Sequence, residues 1–140
     1  MTEVYVDVAA ASMEQGAENV AVVRPSDPEA VRALRYLAES GIRVVVVAVD
    51  GVRPDEKLAN VAAEVVSAMP PRPRGPAWYL TSDIERCVGA SARLRTVLIG
   101  APPPTGSVRR CDAVARDVQA AAMEILAEVA MPPKARTSRR

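Results

Sequence analysis

Residues 42–50, IRVVVVAVD, place four valines in a row with no alternation of apolar and polar side chains. A strand wetted on one face alternates. One that is apolar throughout is buried on both faces, which is the condition of a parallel sheet covered by helices. The segment before it, SDPEAVRALRYLAESG, has the punctuation of a helix. Asp27 is placed to cap its start, Pro28 fits its first turn, and Gly41 fits its end. Val31, Leu34, Leu37 and Ala38 are expected on its apolar face. A helix running straight into a doubly buried strand is half of a parallel β/α unit, and it constrains the fold more than any other stretch.

The rest of the chain repeats the pattern. EVYVDVA (3–9) alternates Val4, Val6 and Val8 against Tyr5 and Asp7 and is expected as a strand. NVAVVRP (19–25) is a short extended candidate stopped by Pro25. RPDEKLANVAAEVVSAM fits a helix to about residue 62, while 63–69 suits either more helix or a short strand. AWYLT (77–81) and LRTVLIG (94–100) are expected strands. Between them, Ser82 and Glu85 have the S-x-x-E spacing that opens a helix. CDAVA (111–115) is an edge-like strand, and Asp117 is placed to cap VQAAAMEILAEVAM. There Val118, Ala122, Ile125, Leu126 and Val129 would line one face. Strands alternating with helices across short connections imply a three-layer α/β fold with a mostly parallel sheet. One domain is expected over 1–131, with a basic tail, expected to be disordered, over 132–140. Ligands of such folds sit outside the carboxyl ends of the strands. Those ends fall here at 7–9, 48–50, 81–83 and 100–102.

Composition removes several chemistries. The chain has no histidine, so Ser-His and Cys-His catalytic pairs are absent. Its two cysteines, Cys87 and Cys111, form no CxxC, which argues against a structural zinc. They could pair with each other, but nothing in the N-terminal residues has the form of an export signal. A cytoplasmic protein with reduced thiols is therefore the expectation. A net charge of +1 proposes no nucleic-acid partner, and no apolar run is long enough to span a bilayer. A homodimer through an exposed sheet edge or helix face is a further expectation.

The acid in VYVDVAAAS (4–12) needs explaining, because a strand of this kind rarely carries a carboxylate. Together with DPEAVRALRYLAESGIRVVVVAVD and WYLTSDIERCVGASARLRTVLIGAP, this block resembles the haloacid dehalogenase-like (HAD) superfamily, whose fold is Rossmann-like. CDAVARDVQAAAMEIL resembles that family's last element. The match covers most of the chain and leaves no room for a large cap domain. The resemblance implies that Asp7 is the nucleophile that would form an aspartyl-phosphate. It implies Mg²⁺ as cofactor, held by Asp7 and, in one register of the 79–85 motif, by Asp83. It also implies a basic residue near the phosphate, for which Arg72 and Arg74 are the candidates.

The same alignment shows departures. Ala9 stands where the family has its proton-transferring second acid. Ala48 stands at the phosphate-holding hydroxyl. Thr81 falls at the first Mg²⁺-binding acid when LRTVLIG is aligned without gaps; a shift of two residues instead brings Asp83 to the second. Each candidate also has a structural reading. Asp7 could be a hydrogen-bonded strand-end residue. Asp83 and Glu85 suit a helix's first turn. Arg72 and Arg74 suit a solvated loop, Ser82 a helix cap, Cys87 the core, and Trp78 and Tyr79 packing on the sheet. The expectation is a HAD-like domain that has lost phosphatase chemistry and serves as a binding or interaction module. The alternative is a Mg²⁺-dependent phosphohydrolase acting through Asp7. No substrate or ligand is legible.

Overall fold

The computed structural model describes residues 2–13, 23–49, 51–68, 75–88, 94–100 and 111–130. In chain order the elements begin with β1 (Glu3–Asp7), a 3-10 turn (Ala9–Ala11), β2 (Val23–Arg24), α1 (Pro28–Glu39) and β3 (Arg43–Val47). They continue with β4 (Arg53–Pro54), α2 (Glu56–Val61), β5 (Glu64–Val66) and β6 (Ala77–Thr81). The last are α3 (Ile84–Val88), β7 (Leu94–Ile99), β8 (Ala113–Ala115) and α4 (Val118–Ala130). Six strands form one sheet in the order β5-β3-β1-β6-β7-β8, and every pairing in it is parallel. The two-residue strands β2 and β4 pair separately.

Local chemistry sets the element ends. Asp27 accepts a hydrogen bond from the Glu29 amide at 3.0 Å and Pro28 takes the first turn of α1. At the other end Gly41 turns to φ +88°, and the Ile42 amide donates back to the Leu37 carbonyl at 3.1 Å. Glycine suits that left-handed position because it has no Cβ to clash. Asp55 caps α2 through the Leu58 amide and also accepts from the amide and hydroxyl of Ser26, tying α2 to the loop before α1. Residues 63–69 resolve in part: α2 stops at Val61 and Glu64–Val66 adds a strand beside β3.

The strand alternation sorts side chains into two layers. Val4, Val6, Val8, Val44, Val46, Trp78, Leu80 and Val97 pack under α1, α2 and α4, meeting Leu34, Leu37, Leu58 and Ile125. Tyr5, Val45, Val47, Ala77, Tyr79 and Leu94 cover the opposite face. There α3 packs over β7 and β8, with Ile84 and Cys87 against Leu98, Cys111 and Val114. Ala38 departs from its expected place and is exposed, while Ala30 and Ala33 are buried instead. The apolar stripe of α1 runs through Ala30, Val31, Ala33, Leu34 and Leu37. Val129 is likewise exposed at the far end of α4.

At the amino ends of the strands, Arg43 on β3 donates to Glu3 on β1 at 3.0 Å and to Glu64 on β5 at 2.6 Å. One guanidinium therefore holds three strands in register. Among the described residues no helix is long and apolar enough to cross a membrane.

Leu34 is fully buried where α1 meets the sheet. Leu34→Ala is expected to lower unfolding free energy by about 2–5 kcal/mol in urea denaturation. Tyr36→Ala on the exposed face of the same helix should change it by no more than about 0.5 kcal/mol.

Candidate functional site

Counting only the strands of the main sheet, the chain order across it is 3-2-1-4-5-6. The order reverses between β1 and β6. In open parallel sheets the loops from adjacent strands diverge at that point, and the crevice they leave at the carboxyl ends is where ligands bind. Asp7 is the last residue of β1 and Thr81 the last of β6. The first candidate residue of the sequence therefore lies at the topological switch point.

The pairing of Tyr5 with Tyr79 and of Val6 with Leu80 brings Asp7, Tyr79 and Thr81 onto one face of the sheet. Asp7 is only 4% exposed. A carboxylate taken out of water needs compensating hydrogen bonds. The Tyr79 hydroxyl donates to Oδ1 at 2.7 Å, and the Thr81 hydroxyl donates to Oδ2 at 2.7 Å. Arg86, reaching back from α3, donates through Nε to the same Oδ2 at 3.0 Å. Arg86 Nε is also 2.6 Å from the Tyr79 hydroxyl oxygen, which accepts from it. Both oxygens of Asp7 are thus engaged, and one of the three donors is a cation.

Electrostatics is consistent with this geometry. Burial pushes the Asp7 carboxyl above its ordinary value of 3.8, against the downward pull of the Thr81 and Tyr79 hydroxyls and of Arg86. Burial, and then the charge and hydrogen bond of Asp7, raise the Tyr79 phenol well above its usual 10. Tyr79 therefore keeps its proton and donates it to Asp7. Burial disfavours the Arg86 cation, but its bond to Tyr79 and the charge of Asp7 outweigh this, and the guanidinium stays charged.

Thr81, which the ungapped alignment sets at the first acid of the family motif, donates directly to Asp7. Asp83 lies two residues on. It is exposed, and its Oδ1 accepts from the Glu85 amide at 3.0 Å. The Asp83 amide in turn donates to the Thr81 hydroxyl oxygen at 3.1 Å. The expected cap at Ser82 is therefore corrected. The helix begins at Ile84 and Asp83 caps it, because Thr81 and Ser82 still belong to the strand and its exit turn. Ala9 is exposed on the 3-10 turn after β1, and Ala48 is half-buried just past β3. Arg72, Arg74 and Asp50 lie outside the described residues. Among the described residues no group of three His, Cys, Asp or Glu side chains converges as a metal site.

The expectation of reduced thiols is corrected by the structure. Cys87 on α3 and Cys111 before β8 form a disulfide with a Cα–Cα distance of 5.3 Å. Two site residues escape a reading of the sequence alone. Tyr79 reads as packing, although it shares a strand face with Thr81 two residues on. Arg86 is not singled out, although it lies in the first turn of a helix that starts at the strand end and can return to it.

The raised Asp7 value has a testable consequence. At pH below about 3.8 the carboxyl is protonated in both folded and unfolded chains and makes no difference to stability. As pH rises above that value the unfolded chain loses its proton first, so folding stability falls until the folded carboxyl ionises as well. Denaturation between acid and neutral pH should show the native chain losing stability relative to Asp7→Asn over this window. Arg86→Met should extend the loss to higher pH, because it removes the cation that favours ionisation.

No family model and no curated protein matches the chain. Solved structures do. The D,D-heptose 1,7-bisphosphate phosphatase from Burkholderia thailandensis superposes with a TM-score of 0.60 at 18% identity, over 90% of this chain and 99% of that one. The D,D-heptose 1.7-bisphosphate phosphatase from B. bronchiseptica, complexed with magnesium and phosphate, gives 0.59 at 12% identity, over 91% and 99%. Both are proteins of the HAD superfamily. At these identities the likeness is one of fold: the chain has a mostly parallel, Rossmann-like α/β structure similar to theirs.

Proposed function

We propose that this HAD-like domain has lost phosphatase chemistry and serves as a binding or interaction module. The observation that carries the reading is the closed state of Asp7. A carboxylate nucleophile needs a lone pair free and aimed at phosphorus. Here Oδ1 accepts from Tyr79 and Oδ2 accepts from both Thr81 and Arg86, which takes three of the carboxylate's roughly four lone-pair sites, and burial to 4% exposure restricts approach to the remaining one on Oδ1. These bonds stabilise the carboxylate as it stands, and the charge-assisted one is the strongest kind.

The partners of the chemistry are missing as well. Ala9 has no proton to give the leaving group, a loss worth about 10²–10⁴ in rate. Ala48 has no hydroxyl for a phosphate oxygen. Mg²⁺ is a hard cation that takes oxygen ligands, typically one or two carboxylates together with its waters. The described residues do not fit it: Asp7 is already paired with a guanidinium, and Asp83 is turned to a backbone amide. The position of the cation beside Asp7 is taken by Arg86.

The interaction half of the reading is supported by the α1–α4 face. Tyr36 and Met123 are 63% and 67% exposed there and flank a groove of about 260 Å³. Light scattering that finds only monomer at high concentration would count against the homodimer form of the reading.

The chemistry has a direct test in the hydrolysis of para-nitrophenyl phosphate with and without Mg²⁺. The expected rate is that of the buffer, the same for the native chain and Asp7→Asn. Mg²⁺-dependent turnover that disappears in Asp7→Asn would overturn the proposal in favour of a working phosphohydrolase.

A further inference from the structure

We infer that the Cys87–Cys111 disulfide is a redox latch that keeps Arg86 on Asp7, so that reducing it uncovers the buried carboxylate at the switch point. The inference rests on reading Asp7 as a closed site and adds what closes and opens it.

The argument starts from the length of α3. A helix of five residues, Ile84–Val88, is far too short to be stable alone. Its order must come from what it is attached to. On its N-terminal side it is joined to β6 through Ser82 and Asp83, and the Asp83 amide bonds to Thr81. Among the attachments of its body is a small cluster of Ile84, Cys87, Leu98, Cys111 and Val114. The disulfide is the centre of that cluster. Cys87 and Cys111 are 5% and 8% exposed, and the bond fixes α3 covalently to the segment entering β8.

Arg86 is the residue before Cys87. It is the only described cation bonded to Asp7, and its side chain keeps 27% exposure, so part of it already meets solvent. Tyr79 and Thr81, by contrast, belong to β6 in the middle of the sheet and cannot leave without it. Loosening α3 would therefore remove one donor of the three, the charged one. A disulfide that occurs in a reducing compartment is most often transient and redox-sensing rather than structural.

The chemistry balances with a dithiol as co-reactant. Its thiolate attacks one sulfur, the S–S bond breaks, and a mixed disulfide forms. The second thiol of the reductant then displaces the other protein sulfur. Cys87 and Cys111 end as thiols, having gained two electrons and two protons, and the dithiol ends as a cyclic disulfide.

The test reads the Arg86 Nε–H by ¹⁵N NMR on the full chain, the resonance being identified by its loss in Arg86→Lys. Its hydrogen exchange is measured in the oxidised chain, in the same chain treated with dithiothreitol, and in Cys87→Ser/Cys111→Ser. Reduction is expected to speed this exchange by about fivefold or more while the amides of Val45 and Val46 in β3 keep their protection. A smaller change would overturn the latch. So would a loss of protection at Val45 and Val46 as well, since the disulfide would then be a staple for the whole fold. If the double variant does not fold, the reduced native chain decides. Because the readout is proton exchange and not turnover, the two readings fail separately. Phosphatase activity would overturn the loss of chemistry and leave the latch standing, and unchanged exchange would do the reverse.

Discussion

The hydrogen bonding of one buried carboxylate organises the carboxyl-end rim of this sheet. Asp7 lies between strands covered on both faces, where an uncompensated charge is expensive. Three donors from two elements answer it: Tyr79 and Thr81 from β6 and Arg86 from α3. The requirement reaches outward from there. It needs β6 beside β1 in the register that puts Tyr79 and Thr81 on the face of Asp7. It also needs α3 to turn back over β6 directly after the strand. Thr81 serves both ends, donating to Asp7 while accepting from the Asp83 amide that opens the helix.

Much of the scaffold was legible because it rests on local chemistry. The valine run of β3, the Asp27–Pro28 start and Gly41 end of α1, and the strand AWYLT appear in the structure with nearly the bounds their residues imply. Residues 63–69 were ambiguous for a physical reason. Leu58, Val61, Val65 and Val66 satisfy helical spacing, but only the vacant edge of β3 decides for a strand over 64–66. No local pattern carries that information. Ala38 went astray for a similar reason, since the direction from which α4 crosses α1 selects which small residues are covered.

The site was legible by half. Asp7 announces itself as an acid among valines, and the alanines at 9 and 48 are read off directly. Tyr79 and Arg86 do not announce themselves, because a tyrosine in a strand and an arginine in a short helix usually need no explanation. Their roles arise from tertiary placement: Tyr79 stands opposite Tyr5 in the sheet, and Arg86 reaches back from α3 to Asp7 and Tyr79. The disulfide ran against the expectation of reduced thiols, since cysteines 24 residues apart carry no local sign that they will meet.

On the proposed reading a guanidinium stands where a phosphatase would hold a metal ion, and that changes what the rim can do. A divalent ion beside a carboxylate neutralises it and retains positive charge for a phosphate, and its remaining coordination sites take phosphate oxygens or water. Arg86 carries a single charge, and that charge is spent on Asp7. Its Nε is shared between Asp7 and the Tyr79 hydroxyl, so the group that neutralises the acid is also bonded to the acid's own donor. Such an arrangement neutralises the rim without recruiting an anion to it. It suits a surface that presents a stable shape to a partner better than one that gathers charge for phosphoryl transfer, where neutralising the phosphate is most of the work. The rim therefore depends on α3 staying where it is, a five-residue helix joined through Cys87 to Cys111.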